Sequence, residues 1–351
     1  MNIKNGRRCA VLTRRVGADT PCRSTRRALL VAAAAWPALA WTDAVFGQSQ
    51  KAPILIGWLN TASREASGHF LVAFKEGLAA LGWKEGQQFV MEERWVDGRY
   101  ARVQPLAEEL AAKKPAVIVA GPLQSVAAAA KAAPKTPIVQ ADGGDLVAAG
   151  LAASLARPGG MVTGLTNVSG DIAEKYLELL LEAAPKSRRV GFLADPGNLN
   201  LPLSMEAVRR SIAKRSVEAR FAEATRPEQI EPAISRLAKE GAQALIVIGS
   251  AMFRGEFRRI VKLALAQRWP VVTGQEGWAE AGALLSYSAD TLANYRRAAY
   301  YVDRILKGAR PGDLPIELPT KFELVVNMKT ARALRLTIPQ SLLFRADRVI
   351  E

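Results

Sequence analysis

Short apolar runs alternate with amphipathic stretches along most of the chain. Residues 54–59 form an apolar run that predicts a strand, and residues 69–81 follow with apolar side chains at helical spacing, closed by Gly82. The run at residues 116–120 is apolar throughout, which is typical of a central strand covered on both faces. Strands and helices that alternate in this way predict βαβ units and parallel sheets.

The same alternation starts again after residue 167. Residues 171–184 predict a helix, and the apolar run at 244–248 predicts a second central strand. After a long helix predicted at 292–306, a proline-rich stretch leads to a strand predicted at 322–327, so we expect the chain to cross between two lobes several times. The predicted fold is α/β, with two Rossmann-like lobes of parallel sheet joined by a multi-strand hinge. We divide it into an N-terminal lobe of residues 53–167 and 288–318 and a C-terminal lobe of residues 168–287 and 319–351.

Positive charge is concentrated at the start of the chain. Residues 1–48 carry eight basic and two acidic residues, whereas the remainder carries 40 basic and 31 acidic residues. The apolar segment at 28–40 follows this basic run and is shorter than the roughly 20 residues that span a bilayer. We therefore predict an export signal at residues 1–47, cleaved after Ala40 or Gly47. It is similar to twin-arginine signals, because Arg26 and Arg27 precede the apolar segment, and export by the Sec route is the alternative. The expected product is a periplasmic protein; an uncleaved membrane anchor is the alternative.

The sequence offers little to metal, thiol or nucleotide chemistry. Both cysteines, Cys9 and Cys22, lie within the predicted signal, and His69 is the single histidine, which excludes a site built on two histidines. No glycine-rich phosphate loop and no nucleophile-elbow motif is present. Basic and acidic residues alternate along the predicted helices, which indicates a solvated surface rather than a nucleic-acid interface. We predict no catalytic residue, metal or cofactor, although the number of acids leaves a carboxylate pair open.

Polar residues follow the carboxyl ends of the predicted strands, where ligands bind in parallel α/β sheets. Their amides, hydroxyls, carboxylates and aromatic rings suit a small amphipathic solute such as an amino acid. Ser125, at the start of a helix, is a candidate for a carboxylate, and Asp142 or Glu276 for an ammonium group, although each acid is also a candidate helix N-cap. The predicted ligand-binding residues are Asn60, Gln124, Ser125, Asp142, Asp145, Asn167, Asp195, Ser250, Phe253, Glu276 and Tyr287.

Several longer stretches carry a family resemblance. They are FKEGLAALGW at 74–83, ERWVDGRY at 93–100, AGLAASLARPGG at 149–160, YRRAAYYVDRILKG at 295–308, LPTKFELVVN at 318–327 and ADRVIE at 346–351. With them the chain resembles the ABC transporter substrate-binding proteins of the group related to streptococcal tryptophan-uptake binding proteins, and type I periplasmic binding proteins more broadly. The chain departs from the pattern at Leu146, Met161 and Arg335, and the first two lie near the predicted ligand site.

The resemblance implies a binding protein rather than an enzyme. We expect a monomer that binds an amino-acid-like solute, with an aromatic side chain as one option, between its lobes and delivers it to an ABC permease in the inner membrane. Two alternatives remain at this stage: a ligand-binding module for a membrane sensor, and a secreted hydrolase that uses carboxylates.

Overall fold

Two separate β-sheets organise the chain in a computed structural model that describes residues 52–167 and 172–351. The predicted export signal at residues 1–47 lies outside the described residues and stays a prediction. The strands of the first sheet are β1 (Ile54–Asn60), β2 (Phe89–Trp95), β3 (Val117–Gly121), β4 (Ile138–Gln140) and β5 (Val162–Gly164). They are all parallel, in the order β2-β1-β3-β4-β5.

The second sheet has seven strands. They are β6 (Arg189–Ala194), β7 (Glu218–Glu223), β8 (Ala244–Val247), β9 (Val271–Thr273), β10 (Leu285–Ala289), β11 (Phe322–Asn327) and β12 (Arg348–Ile350). Their order is β12-β11-β10-β9-β8-β6-β7, and only the β10–β11 pair is antiparallel. We call the layers around the five-stranded sheet the first lobe and those around the seven-stranded sheet the second lobe.

Helices cover both sheets. They are α1 (Arg64–Ala80), α2 (Val103–Ala112), α3 (Leu123–Ala132), α4 (Ile172–Ala183), α5 (Leu201–Ala213), α6 (Ile230–Lys239), α7 (Ala251–Gly255), α8 (Phe257–Ala266), α9 (Thr291–Leu306), α10 (Met328–Ala333) and α11 (Gln340–Arg345). Among the described residues, none of these helices combines the length and apolarity needed to cross a bilayer. Side-chain caps fix where α1 and α9 begin: Ser63 Oγ accepts a hydrogen bond from the Ala66 amide at 3.2 Å, and Asp290 Oδ1 from the Ala293 amide at 2.8 Å.

Alternation along the central strands places hydrophobic cores on both faces of each sheet. In β3, Val117 and Val119 pack with α1 and α9, whereas Ile118 and Ala120 pack with α2 and α3. Every residue of β3 is buried, as its uninterrupted apolar run predicts. The central strand β8 of the second sheet divides its side chains between two cores in the same way.

The chain passes between the lobes three times. It leaves β5 for α4, leaves β10 for α9, and leaves the end of α9 for β11. The predicted fold class, two Rossmann-like lobes joined by a multi-strand hinge, is confirmed. One detail differs from the predicted parallel sheets: β11 runs antiparallel to β10, because the chain crosses to the first lobe for α9 and returns across the hinge in the opposite direction. In the second lobe, Glu256 separates the short helix α7 from α8.

Close packing of α1 on α9 depends on Gly77. A Cβ atom at this position would lie 2.5 Å from the carbonyl oxygen of Arg296 and 2.8 Å from Cβ of Ala299. We therefore expect Gly77→Ala to lower the free energy of unfolding by about 1–3 kcal/mol through overpacking, measured by urea denaturation. Gly68→Ala on the same helix is the control, because its Cβ would meet only Arg64 Cγ at 3.6 Å; equal destabilisation by both variants would contradict the prediction.

Candidate functional site

A cavity of about 170 Å³ lies between the two lobes, at the carboxyl ends of the parallel strands. The loops after β1, β3 and β4 form its first-lobe side, and those after β8 and β9 form its second-lobe side, together with α4 and α5. Its polar lining includes Asn60, Gln124, Asp142, Asn167, Asn198, Asn200, Ser204, Ser250, Arg254 and Gln275. Its apolar lining includes Phe70, Ile172, Ala173, Tyr176, Val208, Ile246, Ile248 and Tyr295.

Asp142 provides the anionic group of the cavity. It follows β4, and its Oδ1 accepts a hydrogen bond from the side-chain amide of Asn167. Burial raises the pKa of Asp142, while the nearby positive charge of Arg254 opposes that rise. Beside it, the hydroxyl of Tyr295 accepts a hydrogen bond from Asn60 Nδ2 at 3.3 Å, and burial raises the pKa of Tyr295 as well. The first lobe thus offers a partly buried carboxylate to the cavity.

Arg254 provides the cationic group. It lies on the short helix α7. Ser250 caps the start of this helix, and its Oγ accepts a hydrogen bond from the Phe253 amide at 3.1 Å. The guanidinium carbon lies 5.2 Å from the centre of the Phe70 ring on the opposite lobe, a cation–π contact. Among the described residues, no acceptor forms an ion pair or a side-chain hydrogen bond with this guanidinium group. Its five N–H donors are therefore available to a bound anion.

The second lobe contributes apolar surface to the cavity. Tyr176 of α4 packs in one core cluster with Val208 of α5, Ile246 of β8 and Ile248 just after that strand, and all four line the cavity. Gly274 makes room for the tyrosine, because a Cβ at that position would lie 1.7 Å from the Tyr176 hydroxyl oxygen. The cavity therefore combines two opposite charges with apolar and aromatic surface.

Hydrogen bonds across the cleft hold the lobes together around this cavity. Gln124 Nε2 donates to the carbonyl oxygen of Gly197 at 3.0 Å, and the Tyr100 hydroxyl donates to Asp195 Oδ2 at 3.0 Å. Burial raises the pKa of Asp195, although its hydrogen bonds act in the opposite direction. These contacts describe a closed arrangement of the two lobes.

Five of the eleven residues predicted from the sequence line the cavity. These are Asn60, Gln124, Asp142, Asn167 and Ser250. Asn60 ends β1, and Asp142 and Asn167 lie in the loops that follow β4 and β5. Gln124 and Ser250 lie at the beginning of the helices that follow β3 and β8.

The other six predicted residues lie outside the cavity lining. Ser125 is fully buried within α3, Phe253 is fully buried in the core of the second lobe, and Tyr287 stacks on Phe322 at 5.4 Å. Asp145 accepts hydrogen bonds from the Val147 and Ala148 amides at 2.8 and 3.0 Å. It therefore caps the turn that follows it, in line with the alternative prediction that the acids are caps. The last two of the six are Asp195, which bonds Tyr100 across the cleft, and Glu276, which lies beside the hinge and whose pKa is raised by burial.

The residues that line the cavity without having been predicted include Phe70, Tyr176, Arg254 and Tyr295. All four lie on helices. Phe70 and Tyr176 belong to the predicted helices at 69–81 and 171–184, and Arg254 follows Phe253, a predicted ligand-binding residue. Among the described residues, no group of three or more histidine, cysteine or acidic side chains is arranged to hold a metal ion.

Comparison with known proteins identifies relatives of this chain and of its fold. The chain is 24% identical over 261 residues, 74% of its length and 75% of the relative's, to a tyrosine-binding protein of Clostridioides difficile. It superposes with a TM-score of 0.80 and 26% identity on a conserved domain protein from Vibrio cholerae, covering 84% of this chain and 99% of that one. It superposes with a TM-score of 0.79 and 23% identity on an ABC domain in complex with L-Trp from Streptococcus pneumoniae, covering 85% of this chain and 100% of that one.

The family assignment rests on nearly the whole described chain. The family model for ABC transporter substrate binding proteins matches residues 62–350, which include the second sheet, the first sheet apart from β1, all three passages between the lobes and every residue of the cavity named above except Asn60. The chain therefore belongs to the ABC transporter substrate binding protein family.

Proposed function

We propose that the protein binds an α-amino acid with an aromatic or large apolar side chain in the cavity between its lobes. In this proposal Arg254 binds the ligand's carboxylate, and Asp142 binds its ammonium group. The ligand's side chain lies against Tyr176 and the aliphatic residues of the second lobe. The guanidinium of Arg254 has no ion pair among the described residues and acts on the partly buried Asp142 in the same cavity, which is the observation that carries this proposal.

Charge complementarity favours a zwitterion over other small solutes. A buried charge without a partner costs several kcal/mol, so a ligand that pairs with only one of the two groups leaves the other unpaired. An α-amino acid satisfies both groups with one molecule. The Clostridioides difficile relative is a tyrosine-binding protein, and the Streptococcus pneumoniae domain is in complex with L-Trp, which supports an aromatic side chain as the third determinant.

We further propose that ligand binding favours the closed arrangement, which an ABC permease then recognises. A ligand that contacts both lobes binds the closed state more tightly than the open state and shifts the population towards it. Family membership supports this transport role, and the predicted export signal supports a periplasmic location. Uptake of the labelled ligand by the source organism should fall when the gene is deleted.

Thermal melting of the purified protein with each of the twenty amino acids tests the binding proposal. A ligand at 100 times its Kd stabilises the folded state by about 2.7 kcal/mol. We expect the largest rise in Tm with tyrosine, tryptophan or phenylalanine, and no rise with glutamate or lysine. Isothermal titration calorimetry should then give a stoichiometry of one. No rise in Tm with any amino acid would contradict the proposal.

The hydrogen bond between Tyr100 and Asp195 should contribute to ligand retention, because it forms across the cleft only when the lobes are closed. We expect Tyr100→Phe to weaken ligand affinity by about tenfold, mainly through faster dissociation, since a hydrogen bond to a charged group contributes about 1.5–3 kcal/mol. Stopped-flow fluorescence measures the dissociation rate. Tyr300→Phe is the matched control, because the Tyr300 hydroxyl forms no hydrogen bond with the described residues. An unchanged dissociation rate in Tyr100→Phe would contradict the prediction.

A further inference from the structure

Three side chains form a hydrogen-bonded chain from the hinge to the cavity. Asn294 Nδ2 donates to Asn167 Oδ1 at 2.8 Å, and Asn167 Nδ2 donates to Asp142 Oδ1. Asn294 is 6% exposed and lies in the first turn of α9, where its backbone amide bonds the carbonyl oxygen of Asp290 at 3.1 Å. Asn167 lies just after β5, where its backbone amide bonds the carbonyl oxygen of Gly143 at 2.9 Å. The chain therefore joins two of the three passages between the lobes to the carboxylate of the cavity.

The chemistry of these groups fixes the direction of the chain. An ionised carboxylate only accepts hydrogen bonds, so Asn167 must turn its NH₂ group towards Asp142. The amide oxygen of Asn167 then needs a donor, and the NH₂ group of Asn294 supplies it. Without that donor, the reversed orientation of the Asn167 amide, with its oxygen against the carboxylate of Asp142, is no longer disfavoured. Asn294 thus determines which end of the Asn167 amide faces Asp142.

We propose that Asn294 is a positioning residue of the ammonium-binding site, which acts through Asn167 to keep a hydrogen-bond donor directed at Asp142 and to tie that carboxylate to the hinge. The role of Asp142 as the ligand of the ammonium group rests on the proposed function. The hydrogen bonds that hold Asp142 in place do not.

Three other groups act on Asp142 and bear on its ionisation. Arg254, from the second lobe, stabilises the ionised carboxylate, whereas Glu276, in the loop after β9, opposes ionisation. Tyr295 of α9 is a neutral neighbour, and burial keeps its pKa far above physiological pH. A hydrogen bond donated by Asn167 favours the ionised form, in the same direction as Arg254. Loss of the donor should therefore raise the pKa of Asp142.

Ligand affinity is the first test, with L-tyrosine and L-tryptophan as probes in calorimetry. We expect Asn294→Leu to weaken binding by about tenfold, because it removes a part-buried hydrogen bond that supports a charged group. Tyr301→Phe is the matched control: it removes from the same helix the part-buried hydrogen bond that Tyr301 donates to the Pro315 carbonyl oxygen at 2.7 Å, away from the cavity. Equal affinities of the two variants would overturn the proposal.

Asn294→Asp separates hydrogen bonding from packing. This variant keeps the shape of the side chain but replaces the donor with an acceptor, so we expect at least the loss of affinity that Asn294→Leu produces. Wild-type affinity in Asn294→Asp would show that the side chain only fills space, and would overturn the proposal. Because the shape is preserved, this variant also serves if Asn294→Leu does not fold.

The titration of Asp142 in the ligand-free protein is the second test. Carboxyl ¹³C NMR of aspartate-labelled protein measures it, with the resonance assigned by its loss in Asp142→Asn. We expect Asp142 to titrate at higher pH in Asn294→Leu than in the wild type and in Tyr301→Phe. An unchanged titration would overturn the proposal whether or not the protein binds an amino acid. Failure of the wild type to bind either probe would instead count against the proposed function alone.

Discussion

Replacing Arg254 with glutamine is expected to weaken binding of an aromatic amino acid by about 100-fold or more, since removing one partner of a buried charge pair costs about 2–5 kcal/mol. Glutamine keeps part of the side-chain volume and one amide donor but removes the charge that pairs with the ligand's carboxylate. Calorimetry with tyrosine and with tyramine, which lacks the carboxylate, isolates this contact. The wild type should prefer tyrosine strongly, and Arg254→Gln should lose most of that preference.

The same substitution should change how the ligand stabilises the protein. Arg254 has no ion pair among the described residues, but its positive charge acts on the carboxylates of Asp142 and Glu276 and lies against the ring of Phe70. We expect tyrosine to raise the Tm of Arg254→Gln less than it raises the Tm of the wild type, because weaker binding stabilises the folded state less. Arg258→Gln is the control, because Arg258 is exposed and stacks on Phe257 at 4.7 Å within the second lobe. A preserved preference for tyrosine over tyramine in Arg254→Gln would refute the assignment of this residue to the carboxylate.

The fold was largely predictable because its strongest determinants are local. Apolar runs such as residues 116–120 and 244–248 become central strands in the structure, since only strands buried on both faces are apolar throughout. The direction of β11 was not predictable in this way. It depends on the path of the chain through α9 and back across the hinge. The apolar pattern of β11 does not show whether the strand pairs in a parallel or an antiparallel direction.

The candidate site was predictable only where it is built from loops. The rule that ligands bind at the carboxyl ends of parallel strands placed Asn60 and Asp142 at the cavity. It could not identify Arg254, because a basic residue on a helix is usually a solvated one, and only the position of the opposite lobe makes it face Phe70. Nor could the rule separate Asp142 from Asp145, since both acids follow the same strand. Only three-dimensional packing places Asp142 in the cavity lining and Asp145 at the cap of a turn.

Replacing Asp142 with asparagine should remove the ammonium site, with an expected loss of affinity of at least 100-fold, because breaking a buried ion pair costs about 3–5 kcal/mol. The asparagine oxygen can still accept the hydrogen bond from Asn167, so the local structure should persist while the charge is lost. Calorimetry with tyrosine and with its deaminated analogue, 3-(4-hydroxyphenyl)propionate, measures the contact with the ammonium group. Asp142→Asn should lose the preference for tyrosine that the wild type shows. Asp145→Asn, which keeps the cap on the neighbouring turn, should bind as the wild type does.

The pH dependence of binding gives an independent check on Asp142. The carboxylate must be ionised to bind an ammonium group, and burial raises the pKa of Asp142 above its ordinary value of 3.8, with Arg254 opposing the rise. Wild-type affinity should therefore be constant near neutral pH and fall as the pH decreases through this raised pKa, which is above the range where an exposed aspartate titrates. Asp142→Asn has no group to protonate there, so its weak residual binding should lack this acid-dependent loss. Wild-type affinity that stays constant down to pH 4 would show that Asp142 does not bind the ligand as a carboxylate.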